Sequence, residues 1–191
     1  MDTVSYNAAI SACEKCAEWQ RALALLKTMW EEKVWPNTTS YSAAISACEK
    51  GKRWELALEL LEECKTWAAA DTISYNAAIS ACEKCAEWQR ALALLKTMWE
   101  ERVWPDTTSY SAAISACEKG KHWELALELL EECKTLATVD TISYSTAISA
   151  CEKCAEWQCA LALLKTMWEE KVWPNTTTYT AAIQACQEGG Q

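Results

Sequence analysis

The sequence predicts an all-α protein, an α-solenoid of antiparallel helix hairpins, and three observations carry that prediction. First, residues 3–37 and 72–106 differ at only three positions, and 141–175 is a third copy with few changes. Second, the intervening stretches 38–71 and 107–140 match each other almost as closely, so five units alternate between 35 and 34 residues, with a sixth begun at Thr176. Third, each unit contains two short apolar stripes of helical period. A repeat of this length marks a solenoid, because one such unit cannot bury its apolar face alone while a stack of them can. The units are therefore 3–37, 38–71, 72–106, 107–140 and 141–175, with a partial unit over 176–191, in one repeat array spanning 1–191.

The first half of a unit reads as a helix of about three turns. In Ser5-Tyr6-Asn7-Ala8-Ala9-Ile10-Ser11-Ala12-Cys13, the residues Tyr6, Ala9, Ile10 and Cys13 fall at i, i+3, i+4 and i+7. Asp2 or Thr3 can accept from the N–H groups at its start. The helix is expected to end near Cys16-Ala17 in odd units. In even units it should end at Gly51 or Gly120, where glycine suits a left-handed cap.

The second helix should begin near Trp19 and carry Ala22, Leu23, Leu25, Leu26, Met29 and Trp30 before Pro36 stops it. Its even counterpart runs from Trp54 to about Lys65, with Leu56, Ala57, Leu60 and Leu61 inward and Glu55, Glu59, Glu62 and Glu63 largely outward.

An apolar content of 51% with only four glycines and three prolines fits a folded chain. No apolar stretch approaches the roughly 18 residues of a membrane span, and neither a secretory signal nor a transit segment is evident. Twelve cysteines in that setting point to a reducing, intracellular compartment, with cysteine serving as a small apolar residue. The net charge of −9 argues against a general nucleic-acid binder. Yet most of the acid, Glu31, Glu32, Glu62, Glu63, Glu100, Glu101, Glu131, Glu132, Glu169 and Glu170, belongs to the second helices and their loops. Each complete first helix carries one Glu and one Lys near its end and is about neutral.

Catalytic and metal chemistry finds little support. The pairs Cys13/Cys16, Cys82/Cys85 and Cys151/Cys154 have a zinc-like spacing, but they lie two units apart, roughly 20 Å at ordinary helix packing distances. They sit at a helix C-terminus beside glutamate, which disfavours thiolate. His122, the single histidine, falls at a loop position where other copies have Glu or Arg, and is expected to be solvated. Trp19, Trp54, Trp88, Trp123 and Trp157 are expected to pack between helices. No enzyme activity, cofactor or metal is expected.

The stretch Ile73-Ser74-Tyr75-Asn76-Ala77-Ala78-Ile79-Ser80-Ala81-Cys82-Glu83-Lys84 resembles the first helix of a pentatricopeptide repeat. Ala91-Leu92-Ala93-Leu94-Leu95 and Val103-Trp104-Pro105-Asp106 resemble its second helix and closing turn. Tetratricopeptide repeats share a 34-residue period, but their Trp-x-x-Leu-Gly-x-x-Tyr signature is absent: Glu55-Leu56-Ala57-Leu58 follow Trp54. The resemblance implies a right-handed superhelix that binds single-stranded RNA along the first helices, one base per repeat, in RNA processing, stability or translation. It also implies a mitochondrial or chloroplast location. No DNA or membrane partner is expected, and protein partners remain open.

In that family the fifth and last residues of each unit choose the base. Here they are Asn7 with Asn37, Ser42 with Asp71, Asn76 with Asp106, Ser111 with Asp140, and Ser145 with Asn175. An ionised aspartate only accepts hydrogen bonds and suits the ring N–H of G or U, whereas asparagine also donates and suits A or C. The family pattern gives 5′-(C/U)GUGA-3′. The second residues, Val4, Thr39, Ile73, Thr108 and Ile142, would flank the bases, the two threonines less snugly. Lys15, Lys50, Lys84, Lys119 and Lys153 take the phosphate-contacting place, each weakened by the Glu immediately before it. Lys33, Arg102 and Lys171 stand where the family commonly has glycine. Two other readings compete: the last residues as helix N-caps, and the whole chain as a protein-interaction scaffold using the solenoid groove.

Overall fold

The computed structural model describes residues 2–136 and 138–190. Among them are eleven α-helices and no strand: α1 (Thr3–Lys15), α2 (Trp19–Glu31), α3 (Thr38–Lys50), α4 (Trp54–Trp67), α5 (Thr72–Lys84), α6 (Trp88–Glu100), α7 (Thr107–Lys119), α8 (Trp123–Leu136), α9 (Thr141–Lys153), α10 (Trp157–Glu169) and α11 (Thr176–Glu188). Odd-numbered helices are the first helices of the hairpins and even-numbered ones the second.

Side-chain size explains how the hairpins stack. The first helices are rich in alanine and serine, and Ala43, Ala44, Ala47, Ala77, Ala78 and Ala81 are all buried. Small residues let backbones approach, and α1, α3, α5, α7, α9 and α11 pack directly, each on the next. Each second helix packs on its own first helix and on the first helix of the following unit. Among the described residues no two second helices bring their backbones together. Only long side chains such as Trp30 and Trp67, with ring centroids 5.3 Å apart, bridge them. Close inner helices and splayed outer ones curve the array toward the first helices.

The periodic stripe is the core. Tyr41, Ala44, Ile45 and Cys48 are fully buried, as are Tyr75, Ala78, Ile79 and Cys82 in the next unit. Ala57, Leu60, Leu61 and Cys64 close over them from α4. The second helix α2 ends at Glu31, before Pro36, because Lys33 turns left-handed at φ 58°. Its amide bonds to the Trp30 carbonyl and that of Val34 to the Met29 carbonyl, which closes a Schellman turn. Arg102 and Lys171 repeat this at φ 60° and 59°. Residues other than glycine are thus accepted at this turn.

The glycines have a different purpose from the one the sequence suggested. Gly51 and Gly120 are right-handed, at φ −79° and −75°. The left-handed residue is the next one, Lys52 or Lys121, matching Ala17, Ala86 and Ala155 in odd units. What excludes a side chain at Gly51 is Trp19 of the preceding unit: a Cβ would lie 2.4 Å from its Cδ1. Gly120 meets Trp88 in the same way, at 2.6 Å. The tryptophan ladder does pack between helices, and in these units glycine makes room for it.

His122, expected to be solvated, also uses that ladder, and so does Arg53. His122 is half-buried, its ring 4.0 Å from that of Trp88, and Arg53 lies over Trp19 at 5.0 Å. A flat or cationic group on an indole face gains stacking and cation–π attraction. Sequence spacing gave no hint of a contact made 34 residues away.

Candidate nucleic-acid interface

The last residue of each unit is the N-cap of the next first helix. The Oδ1 atoms of Asn37, Asp71, Asp106, Asp140 and Asn175 accept from the amides of Ser40, Ser74, Ser109, Ser143 and Thr178 at 2.8–3.1 Å. Each such cap contributes about 1 kcal/mol. The capping alternative is therefore correct as far as it goes.

It does not account for the fifth residues, which the same hydrogen bonds draw in. Asn7 donates from Nδ2 to Asn37 Oδ1 at 3.2 Å and accepts from Ser40 Oγ at 2.6 Å. Asn76 does the same with Asp106 Oδ1, at 3.1 Å, and with Ser109 Oγ. The Ser111 and Ser143 hydroxyls hydrogen-bond to each other at 2.8 Å. A serine or threonine at the third place of the following unit thus ties the fifth and last residues into one polar group. Those bonds use Oδ1 of the last residue and not Oδ2 of aspartate or Nδ2 of asparagine. Sequence reasoning missed Ser40, Ser109, Ser143 and Thr178, whose only signal is a buried hydroxyl on a helix start.

One fifth residue departs from this arrangement, and another keeps it but is buried. Ser42 bonds to the carbonyl of Thr39 in its own helix, at 3.2 Å. Ser145 is only 8% exposed and bonds to the Thr141 carbonyl and to Thr178. It lies beneath the surface rather than on it.

The second residues stand out from the face. Val4, Ile73 and Ile142 are 75%, 64% and 65% exposed, and Thr39 and Thr108 are exposed as well. Helix packing offers no reason for a β-branched apolar side chain in water at the same place in three units.

The lysines are held differently from the expectation. Their partners are not the preceding glutamates but those of the preceding unit: Lys50 with Glu14 at 2.8 Å, Lys84 with Glu49 at 2.7 Å, Lys119 with Glu83 at 2.5 Å and Lys153 with Glu118 at 2.6 Å. Lys15 is exposed at the end of α1. First helices one unit apart run side by side, so residue i reaches i+36 or i+35 more readily than its own neighbour. The row is a neutral ladder. It ties the stack together and lowers the positive field that a phosphate would meet.

Thiolate formation is disfavoured in the buried cysteines. Burial pushes the thiols of Cys48, Cys64 and Cys117 up to about 11 and those of Cys82 and Cys151 up to about 12. Cys85 and Cys154 point their sulfurs at the carbonyls of Lys52 and Lys121. Among the described residues no three His, Cys, Asp or Glu side chains converge as a metal site, and no helix is long and apolar enough to cross a membrane.

A curved stack of helical hairpins, presenting one polar group per unit along its inner helices, defines an α-solenoid repeat protein. The chain belongs to the pentatricopeptide repeat family. The family model for the pentatricopeptide repeat domain matches residues 59–120 and 128–188, that for the PPR repeat family residues 1–50, and that for the PPR repeat residues 39–67 and 108–136. A comparison with curated proteins finds no significant match. Among solved structures, the chain is similar to the pentatricopeptide repeat protein PPR10 from maize, at 24% identity and a TM-score of 0.74, covering 98% of this chain and 27% of that one. It is also similar to the PPR domain of Arabidopsis thaliana protein-only RNase P 1, solved in complex with tRNA, at 10% identity and a TM-score of 0.81, covering 97% and 98%. PPR10 in complex with an 18-nt psaJ RNA element matches at 18% identity and a TM-score of 0.62, covering 95% of this chain and 32% of that one. The chain thus spans about a quarter of the maize protein.

Proposed function

We propose that the chain binds single-stranded RNA along its first helices, without catalysis and with one base per unit. The observation that carries this reading is the recurring polar group made by a fifth and a last residue, with an exposed second residue beside it. Helix axes roughly 8–10 Å apart suit a strand whose bases are unstacked and held singly. Val4, Ile73 and Ile142, with Thr39 and Thr108, would then lie between successive bases. Asp71, Asp106 and Asp140 would accept from the ring N–H of G or U, and Asn37 and Asn175 would serve pyrimidine and A. The strand read is 5′-(C/U)GUGA-3′. Lys15, Lys50, Lys84, Lys119 and Lys153 would approach phosphate, in competition with the glutamates that hold four of them. Family kinship supports a role in organellar RNA processing, stability or translation, in a mitochondrion or chloroplast.

The test is a binding titration with CGUGA and UGUGA embedded in an unstructured RNA, against a scrambled RNA and the matching DNA, at stated salt. Preference for the cognate RNA is expected. Equal binding to all three would overturn the base-reading claim and favour the protein scaffold.

A further inference from the structure

Where the second helices turn back toward the next unit, the chain exposes one large apolar side chain in every repeat: Trp35, Trp67, Trp104, Leu136 and Trp173, each between 52% and 68% exposed. The four tryptophans are anchored. Trp35 stands edge-on against Trp30 at 5.3 Å, Trp104 against Trp99 at 5.2 Å, Trp173 against Trp168 at 5.3 Å, and Trp67 against Trp30 at 5.3 Å. An anchored indole has already lost most of its rotamer freedom, so covering it costs little further entropy. Packing within the array does not use the outer faces of these rings. An apolar row of this extent on a surface marks a place where something else binds.

The surroundings define what binds. Trp67 forms the end of a shallow groove of about 470 Å³ along α4, lined also by Leu58, Glu59, Glu62, Glu63 and Thr66. The same groove recurs on α8, at about 600 Å³, between Leu127, Glu128, Glu131, Glu132 and Thr135. Lys65 answers Glu62 at 3.0 Å and Lys134 answers Glu131 at 2.7 Å. Among the described residues, Glu59 and Glu63, and Glu128 and Glu132, carry no salt bridge. In the α4 groove the Trp67 ring beside uncompensated carboxylates attracts cations both by charge and by its quadrupole, and in the α8 groove the carboxylates act by charge. The same carboxylates repel a phosphate backbone.

We propose that this outer face docks a basic amphipathic segment of a protein partner. Its apolar side chains cover the tryptophan row, and its Arg or Lys side chains enter the two glutamate grooves. The glutamate grooves lie on the second helices α4 and α8, away from the first helices, whereas Trp35, Trp104 and Trp173 stand two residues before Asn37, Asp106 and Asn175. The proposal stands whether or not the first helices read RNA.

The probe is a fluorescent 18-residue peptide with arginine and leucine at helical spacing, titrated against the full chain. Controls are a peptide of equal charge with serine for leucine, and one with glutamate for arginine. The basic amphipathic peptide should bind at least tenfold more tightly than either control, and more weakly as salt rises. The variant E59Q/E63Q/E128Q/E132Q changes only exposed positions, and circular dichroism verifies its fold. It should lose at least tenfold in affinity, as should Trp67→Ala combined with Trp104→Ala. Equal binding of all three peptides, or affinity unchanged in the glutamine variant, would overturn the proposal. Sedimentation showing self-association that depends on Trp35 and Trp104 would assign the face to a second copy and also overturn it.

Discussion

Asn76 donates through Nδ2 to Oδ1 of Asp106, 3.1 Å away and 30 residues further along the chain, while Asp106 caps the helix that follows. One carboxylate oxygen is committed to structure, and in the proposed reading the other meets a base. The two roles can therefore be separated by substitution. Asp106→Asn retains Oδ1, and asparagine caps as well as aspartate. Stability should change by less than about 0.5 kcal/mol in thermal melts. The preferred third base should shift from U toward C in binding titrations. Asp106→Ala should instead lose about 1 kcal/mol of stability together with the preference. An unchanged base choice in the asparagine variant would rule out this register.

The lysine–glutamate ladder predicts that affinity and stability move in opposite directions. Replacing Glu14, Glu49, Glu83 and Glu118 with glutamine releases four lysines toward phosphate. RNA affinity should rise, and its dependence on salt should steepen toward that of added phosphate contacts. Thermal stability should fall, by about 0.2–1 kcal/mol per half-exposed pair. Affinity measured from 50 to 200 mM salt checks the first effect and denaturant unfolding the second. Unchanged affinity would mean the lysines do not meet the strand.

Gly51→Ala places a methyl group against Trp19, where overpacking costs about 1–3 kcal/mol. Its neighbour gives the opposite sign. Lys52 sits at φ 54°, a conformation that costs a side-chain-bearing residue about 1–2 kcal/mol. Lys52→Gly should therefore leave stability equal or higher despite the added chain entropy. Paired melting curves decide between contact and backbone conformation as the reason for the glycine. A destabilised Lys52→Gly with a neutral Gly51→Ala would reverse the assignment.

Glu101 links three elements: its carboxylate accepts from the Tyr75 hydroxyl and pairs with Lys65 at 2.7 Å. Burial alone would raise its titration point, but the Lys65 and Tyr75 hydrogen bonds outweigh burial and hold it below the usual carboxylate range. Because the folded value is depressed, the stabilisation is complete above the unfolded glutamate value of about 4.3 and is lost as pH falls through the folded value. The difference in urea midpoint between the natural chain and Glu101→Gln should accordingly be largest near pH 7 and shrink toward pH 3. A difference independent of pH would show that the ion pair contributes nothing.

The helices were legible because they repeat and because Tyr, Ala, Ile and Cys recur at helical spacing. The last residues were legible too, since Asp and Asn before a helix have a local reason to be there. Partners one unit away were not. Lys50 stands beside Glu49 in sequence but reaches Glu14, and His122 packs against Trp88; both contacts follow from how neighbouring units lie alongside one another, which no local periodicity encodes. Gly51 misled for a related reason. A glycine at a helix end suggests a left-handed residue, whereas the space it leaves is filled by a ring from another unit.

Among the described residues, each first helix packs on no first helix but its immediate neighbours, and the ladders of ion pairs and ring contacts join adjoining units. Odd and even units are not interchangeable, since Gly51 receives Trp19 whereas Cys85 reaches the Lys52 carbonyl. An odd–even pair is therefore the smallest exchangeable part. Excision of residues 72–140 would join Asp71 to Thr141, a junction equivalent to the present Asp71–Thr72 one. Recombination between near-identical copies can thus shorten or lengthen the array by whole pairs without creating a new interface. If the proposed reading of one base per unit holds, each such event removes or adds two letters of the strand.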